Sequence, residues 1–312
     1  MECLVTGGAG FIGSHIAEAL LKSGRKVRIL DNFYTGRRQN IASFIRDIEL
    51  IEGDLRDRDA VARAVRGVDV VFHQAAIPSV PRSVREPLLT HDVNVNGTLG
   101  LLLAAKDAGV SRFVYASSSS AYGDTPTLPK VEEMPPSPLS PYAVQKLMGE
   151  YYTRVFYLVY GMPTVALRYF NVFGPRQDPA SEYAAVIPKF ITLMMAGKPP
   201  LIYGDGAQTR DFTYIENVVS ANMLAADDTR CLGEVMNIST GQQLGLIELA
   251  KAIGNLLGTS IEPVFDHPRD GDIKHSFGSI EKAKRLLGYS VRIGMEEGLS
   301  RTIRWYREGA QT

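Results

Sequence analysis

Tyr142 and Lys146 stand four residues apart, directly after Ser140 and Pro141. A serine suits the N-cap of a helix and a proline its first helical position. The tyrosine and lysine then share one face of the opening turn. A phenol titrates at about 10, too high for a base at neutral pH. An adjacent ammonium favours the phenolate and lowers that value. The pair is therefore a way of making a tyrosine that accepts a proton. Alone, this spacing arises by chance in many helices, so its surroundings decide. A second cluster, Ser117-Ser118-Ser119-Ser120, lies between Ala116 and Ala121-Tyr122-Gly123. Hydroxyls gathered at one strand end can bind a substrate hydroxyl and relay its proton. Ser118 is assigned the relay, and Ser119 and Ser120 line the pocket. Which serine carries the proton stays open, and a plain polar turn reads the same way.

A third cluster opens the chain: Thr6-Gly7-Gly8-Ala9-Gly10-Phe11-Ile12-Gly13. Glycines spaced G-x-x-G-x-x-G after a strand allow a tight turn and close backbone approach to a pyrophosphate. The helix that follows points its unpaired N–H groups at that anion. Asp31 ends the second strand, where the motif requires an acid. It can accept hydrogen bonds from both adenosine ribose hydroxyls and would repel a 2′-phosphate, which favours NAD over NADP. Arg37 and Arg38 lie close enough to blur that preference. Asp54-Leu55 follows the third strand and could cover the adenine. His73-Gln74-Ala75-Ala76 ends the fourth, where small residues let the backbone pass near a cofactor. A positively charged oxidised nicotinamide would lower the Tyr142 phenol further.

These clusters need elements to hold them. Strand-like runs cover residues 3–6, 27–30, 49–51, 68–72, 112–116 and 164–168. Helix-like runs cover 14–22, 60–66, 94–108 and 141–159. The alternation predicts an α/β fold, a Rossmann-type doubly wound parallel sheet covered on both faces. After about residue 173 the rhythm breaks. Helices at 246–257, 279–287 and 295–307 no longer alternate with strands. We read residues 1–172 as the dinucleotide domain and 173–312 as a smaller substrate lobe, with a segment near 211–240 returning to the first. The chain has 312 residues, with 34 Lys+Arg against 34 Asp+Glu, 45% hydrophobic and 22% charged residues. That is a globular composition. Its balanced charge argues against a nucleic-acid partner bound through bulk positive charge. Two cysteines, Cys3 and Cys231, do not suggest a disulfide framework and fit a reducing, cytoplasmic setting. The opening residues do not read as a signal peptide, and no run is long enough to span a bilayer. No metal-ligand spacing stands out.

In combination, the glycine turn, Asp31, the serine cluster and Tyr142/Lys146 resemble the extended short-chain dehydrogenase/reductases of the NAD-dependent epimerase family. Within it, the chain resembles the nucleotide-sugar 4-epimerases that act on UDP-glucose or UDP-N-acetylglucosamine. The likeness runs nearly end to end. It includes Asn32, Thr35-Gly36, Asn94-Val95-Asn96-Gly97-Thr98 and the run from Arg168-Tyr169-Phe170-Asn171 to Gly174-Pro175-Arg176-Gln177. It continues through Gly204-Asp205-Gly206, Arg210-Asp211-Phe212 and Arg269-Asp270-Gly271-Asp272. Val93 departs from it, since many relatives carry a polar residue there.

The resemblance implies that Gly7, Gly10, Phe11, Ile12, Gly13, Asp31, Asn32, Thr35, Gly36, Asp54, Leu55, Gln74, Ala75 and Ala76 hold NAD, with Phe170 beside the nicotinamide. It makes Ser118 and Tyr142 catalytic, with Lys146 also gripping the nicotinamide ribose. It gives the UDP portion to Asn171, Arg210, Arg269 and Asp272, and arginine forks suit phosphate oxygens. Ala185, Val186, Leu201, Tyr203 and Ser276 complete the expected substrate pocket. A homodimer through the helices at 94–108 and 141–159 is also implied.

Within the family, the serine cluster holds no carboxylate, unlike the acid that dehydratases and decarboxylases place at that strand end. Asp178-Pro179 stands where uronate epimerases carry Arg-Pro, and an acid there would repel a uronate if it faced the sugar. Ser276 is small, where several glucose-restricted relatives carry tyrosine. These residues point to UDP-glucose/UDP-galactose and UDP-N-acetylglucosamine/UDP-N-acetylgalactosamine. Alternatives are a uronate epimerase, a dehydratase or reductase, and, more remotely, an NAD-sensing binding protein.

Overall fold

Six of the apolar runs become strands: β1 (Glu2–Thr6), β2 (Lys26–Asp31), β3 (Ile48–Glu52), β4 (Val70–His73), β5 (Arg112–Ser118) and β6 (Thr164–Tyr169). Between them run α1 (Phe11–Lys22), α2 (Arg58–Val65), α3 (Val80–Arg85), α4 (Pro87–His91), α5 (Thr98–Asp107) and α6 (Pro141–Tyr160). A wide π turn, Asp92–Gly97, leads into α5. The computed structural model describes residues 1–179, 185–267 and 273–309.

The remaining elements are short. They are β7 (Val172–Phe173), α7 (Val186–Met195), β8 (Leu201–Tyr203), β9 (Thr209–Arg210), β10 (Thr213–Tyr214) and α8 (Ile215–Asp227). Then follow β11 (Val235–Ile238), β12 (Leu244–Gly245), α9 (Leu246–Leu257), β13 (Val264–Asp266), β14 (His275–Ser276), α10 (Glu281–Leu287) and α11 (Met295–Gly309).

The main sheet has seven strands in the order β3-β2-β1-β4-β5-β6-β11. Each neighbouring pair is parallel. This is the doubly wound order with one strand added, as the α/β reading predicts. Parallel strands covered on both faces are mostly apolar, and β4 and β6 are buried at every position, with His73, Thr164 and Arg168 as polar members that need partners. Successive residues point to opposite faces. Leu4 joins a core with Val61 and Leu101 from α2 and α5, while Cys3 and Val5 join one with Ile16 and Val218 from α1 and α8. The second core continues without a break into Phe190, Leu249 and Ile303 of α7, α9 and α11. The C-terminal helices are thus anchored on the sheet by shared apolar packing.

The sequence pattern does not show helices α3, α4, α7 and α8. The first two are only six and five residues long, too short for periodicity to show. Helix α8 buries Asn217, Ser220 and Asn222 beside Val218 and Ala221, so it has no clean apolar stripe. Cys3 and Cys231 are free and buried. No described helix is long and apolar enough to cross a membrane. Because the core is shared, Leu249→Ala, at a fully buried site, should cost about 2–5 kcal/mol. Urea unfolding should show that loss in one cooperative transition affecting both lobes.

Candidate active site

The candidate site residues gather at the carboxyl ends of β1, β2, β4 and β5, the end at which such sheets bind ligands. The turn after β1 is shaped by the absence of side chains. Gly7 has φ +68°, and a Cβ there would meet the Ala75 Cα at 2.8 Å. A Cβ on Gly13 would lie 2.2 Å from the Gly7 carbonyl oxygen. Gly10 is the N-cap of α1 and offers no side-chain hydrogen bond, and the first turn carries no acid. The N–H groups of Phe11 and Ile12 therefore lie in a positive helix end suited to a pyrophosphate.

Asp31 is buried at the end of β2. It accepts hydrogen bonds from the Ala9 N–H at 2.9 Å and the Phe33 N–H at 2.8 Å. Burial pushes its carboxyl up, and those two N–H groups partly offset this. Thr35 and Gly36 follow in the same loop, and a Cβ on Gly36 would crowd an Asp31 oxygen at 2.7 Å. Arg37 is ion-paired with Asp178 and Arg38 with Glu52. Both arginines near Asp31 thus have carboxylate partners. Asn32 donates to Asp54 at 2.7 Å, joining the loops after β2 and β3. Arg56 also holds the Asp54 carboxyl, pulling it down to about 2. Leu55 is buried beside Gly97. The Gln74 side chain bonds Tyr169 and Asn222, so its part in a cofactor site falls to its backbone, next to Ala75 and Ala76. These residues fit a dinucleotide.

Across the cleft, Ser140 caps α6 by accepting the Ala143 N–H at 3.2 Å. The Tyr142 N–H is satisfied from another segment, by the fully buried Ser83 hydroxyl at 3.0 Å. Gln145 bonds Thr90 and Asn94, so α3, α4 and the π turn grip the first turn of α6. None of Ser83, Thr90 or Gln145 carried a sequence signal, because their partners are remote in the chain.

Ser118 lies beside the Tyr142 phenol, close enough to favour its ionised form. Ser119 and Ser120 are half-buried beside it, and Ser120 Oγ is buried without a hydrogen-bond partner, available to a ligand hydroxyl. Lys146 is almost fully buried and donates to the Ala116 carbonyl at 2.8 Å. One expectation is overturned. The phenol in this pocket lies above its ordinary value, not below it as the Lys146 spacing predicts. Burial pushes Tyr142 up to about 12, and Ser118 offsets only part of that. Burial likewise lowers Lys146 to about 8, with Glu150 opposing the fall. Desolvation of both groups outweighs their spacing on one helix face.

The far wall comes from the short strands. Arg210 on β9 donates to the Thr209 and Lys274 carbonyls, and Ser276 pairs beside it in β14. Asn171 is exposed and donates to the Asp211 carbonyl at 3.0 Å. Ala185 caps α7 and Val186 begins it, while Leu201 and Tyr203 flank buried Ile202 in β8. Phe170 is fully buried, tilted towards Tyr122 at 6.2 Å. Arg269 and Asp272 lie outside the described residues. Asp178, expected to repel a uronate if it faced the sugar, instead faces Arg37.

The chain matches the NAD-dependent epimerase/dehydratase family over residues 3–239. It belongs to that family. It is an NAD-dependent isomerase of the nucleotide-sugar epimerase group. A putative UDP-glucose 4-epimerase of Methanocaldococcus jannaschii is 40% identical over 311 residues, 99% of each chain. The structure of the Thermotoga maritima UDP-glucose 4-epimerase with UDP-glucose superposes with TM-score 0.95 at 38% identity, covering 99% of this chain and 100% of that one. A UDP-N-acetylglucosamine 4-epimerase of Methanobrevibacter ruminantium, solved with UDP-N-acetylmuramic acid, gives TM-score 0.92 at 39% identity, covering 99% and 98%. From Asp31 and the two paired arginines, protein stripped of nucleotide should bind NAD at least about tenfold more tightly than NADP, a gap of about 1.4 kcal/mol. Calorimetric titration measures this. Asp31→Ala should narrow the gap, and equal affinities in the unaltered protein would refute the role of Asp31.

Proposed function

We propose that this chain interconverts UDP-hexoses at C4, accepting UDP-glucose/UDP-galactose and UDP-N-acetylglucosamine/UDP-N-acetylgalactosamine. The observation that carries this reading is the placing of Ser118 beside the buried Tyr142 phenol, one turn from Lys146, with no acidic residue in the stretch 117–121 itself. Epimerisation needs proton transfer at one hydroxyl and no separate acid to expel water, and these residues supply that. Tyr142 accepts the C4-hydroxyl proton, directly or through Ser118, and returns it later. Lys146 holds positive charge behind the phenol and grips the nicotinamide ribose. NAD, which the glycine turn of residues 7–13, Asp31 and Lys146 would hold, would supply the hydride acceptor and donor for C4 and a positive ring that would favour the Tyr142 phenolate. Arg210 and Asn171, with Arg269 and Asp272, anchor the UDP while the sugar turns.

In this reading residues 1–172 bind NAD and 173–312 the nucleotide sugar, with the 211–240 segment bridging the two. Ser276, next to Arg210 in register, leaves room for a 2-acetamido group. A uronate is the second reading, because the pairing of Asp178 with Arg37 removes the acid that argued against it. The exposed apolar stripe Val144, Tyr151, Val155 and Leu158 along α6 supports a homodimer. The free, buried cysteines suit the cytoplasm.

Chromatography of products from UDP-glucose, UDP-N-acetylglucosamine and UDP-glucuronate, incubated separately, tests the specificity. We expect epimers from the first two. Ser276→Tyr should suppress the acetamido substrate selectively; no turnover of that substrate by the unaltered enzyme would sink the assignment. Tyr142→Phe should lower kcat by at least about 10²-fold, the scale of general acid–base catalysis, while retaining NAD. Wild-type turnover in that variant would reject Tyr142 as the base.

A further inference from the structure

Helix α6 buries more charge than the proposed chemistry uses. Glu150, one turn beyond Lys146, is 2% exposed. Its two oxygens accept from Arg168 of β6, Nε to Oε1 and Nη2 to Oε2, both at 2.7 Å. Ser117 Oγ donates to the same Oε1 at 2.5 Å. Arg168 in turn lies over the Tyr122 ring, 4.7 Å from its centre. Burial opposes the charge on Arg168, and the bonds and field of Glu150 outweigh it. Buried ion pairs of this kind are often replaceable by apolar residues without loss of stability. Stability alone is a weak reason for one behind the reacting groups.

The surroundings of Lys146 supply a better reason. From β4 it is faced by His73, which burial, with the Lys146 charge adding to it, holds down at about 3 and therefore neutral. From β5 it is faced by the Tyr115 ring, 5.2 Å from Nζ, and the Ala116 carbonyl. Its own helix offers Tyr142 and Glu150. The π turn and α5 bring uncharged Asn94 to Gln145 and Thr98 to His73, and β6 brings Arg168 onto Glu150. Among the described groups around Lys146, Glu150 brings the negative charge.

We propose that Glu150 is a positioning residue for the reaction: its carboxylate, locked by Arg168 and Ser117, keeps the Lys146 side chain an ammonium at the cleft. The proposal rests on the reading of Tyr142 and Lys146 as the proton-handling pair. Glu150 touches neither substrate nor cofactor and acts through Lys146. It also explains why Ser117, next to the relay serine, points away from the cleft.

The test follows the Lys146 ammonium directly, by NMR of protein labelled at lysine Nζ, with the signal assigned through Lys146→Met. Without the carboxylate the neutral amine is favoured, so the ammonium is lost at lower pH. In Glu150→Gln the Lys146 midpoint should fall by about one pH unit or more. The alkaline limb of kcat should move with it, and KM should stay unchanged. Glu150→Gln strands the Arg168 charge and can fail to fold. The pair Glu150→Gln/Arg168→Met removes that charge, and its midpoint should lie between those of the single variant and the unaltered protein. In either folded variant, a midpoint within a few tenths of the unaltered value overturns the proposal, as does a kcat lowered evenly at every pH. Failure of the unaltered enzyme to turn over any UDP-sugar would sink the functional reading instead, while the NMR titration would still decide the role of Glu150.

Discussion

One apolar core runs from the α1/α8 face of the main sheet into α7, α9 and α11, and the rest of the molecule depends on it. A parallel sheet covered on both faces has only its strand ends left for ligands. The shared core then fixes which second wall faces those ends. The β5–α6 corner with Tyr142 and the β9–β14 strip with Arg210 and Ser276 belong to one packed body. The groups proposed to react and those proposed to anchor the substrate are thereby held on one packed body.

Among the described residues few charged groups are buried. Glu150 is locked by Arg168 and Ser117. Asp211, fully buried, accepts from the Thr240 N–H and hydroxyl at 2.8 and 2.6 Å, the Gly241 N–H at 3.0 Å and the Gly278 N–H at 3.4 Å. That carboxylate stitches the loops after β11 and β14 beneath the Asn171–Arg210 wall. Burial opposes its ionisation, and these donors offset part of the cost. Such buried groups demand full hydrogen bonding. The same desolvation sets the reacting pair: it raises the Tyr142 phenol and lowers the Lys146 amine, so a productive protonation state needs charge placed around them.

Much of this was legible along the chain. The glycine turn, Asp31 and the Tyr142/Lys146 pair are local patterns, each built within one turn or one strand end. The alternation of β1 to β6 with helices carried the sheet type, because buried parallel strands are mostly apolar. Less legible were α3 and α4, whose job is to hold α6 through Ser83 and Thr90. They are too short for periodicity, and their partners are some 50 to 60 residues away. Glu150 and Arg168 carried a faint signal, as charges within a mostly buried helix face and a wholly buried strand.

The sequence by itself determined the fold class and the cofactor and marked Tyr142 and Lys146 as the candidate pair, because each depends on residues close together in the chain. Tertiary structure decided what those residues experience. It turned Asp178 to Arg37 rather than towards the sugar, paired Ser276 with Arg210, and set Glu150 behind Lys146. It also reversed the expected direction of the Tyr142 phenol. Solvation and the fields of distant charges are properties of the packed interior, and sequence spacing does not contain them.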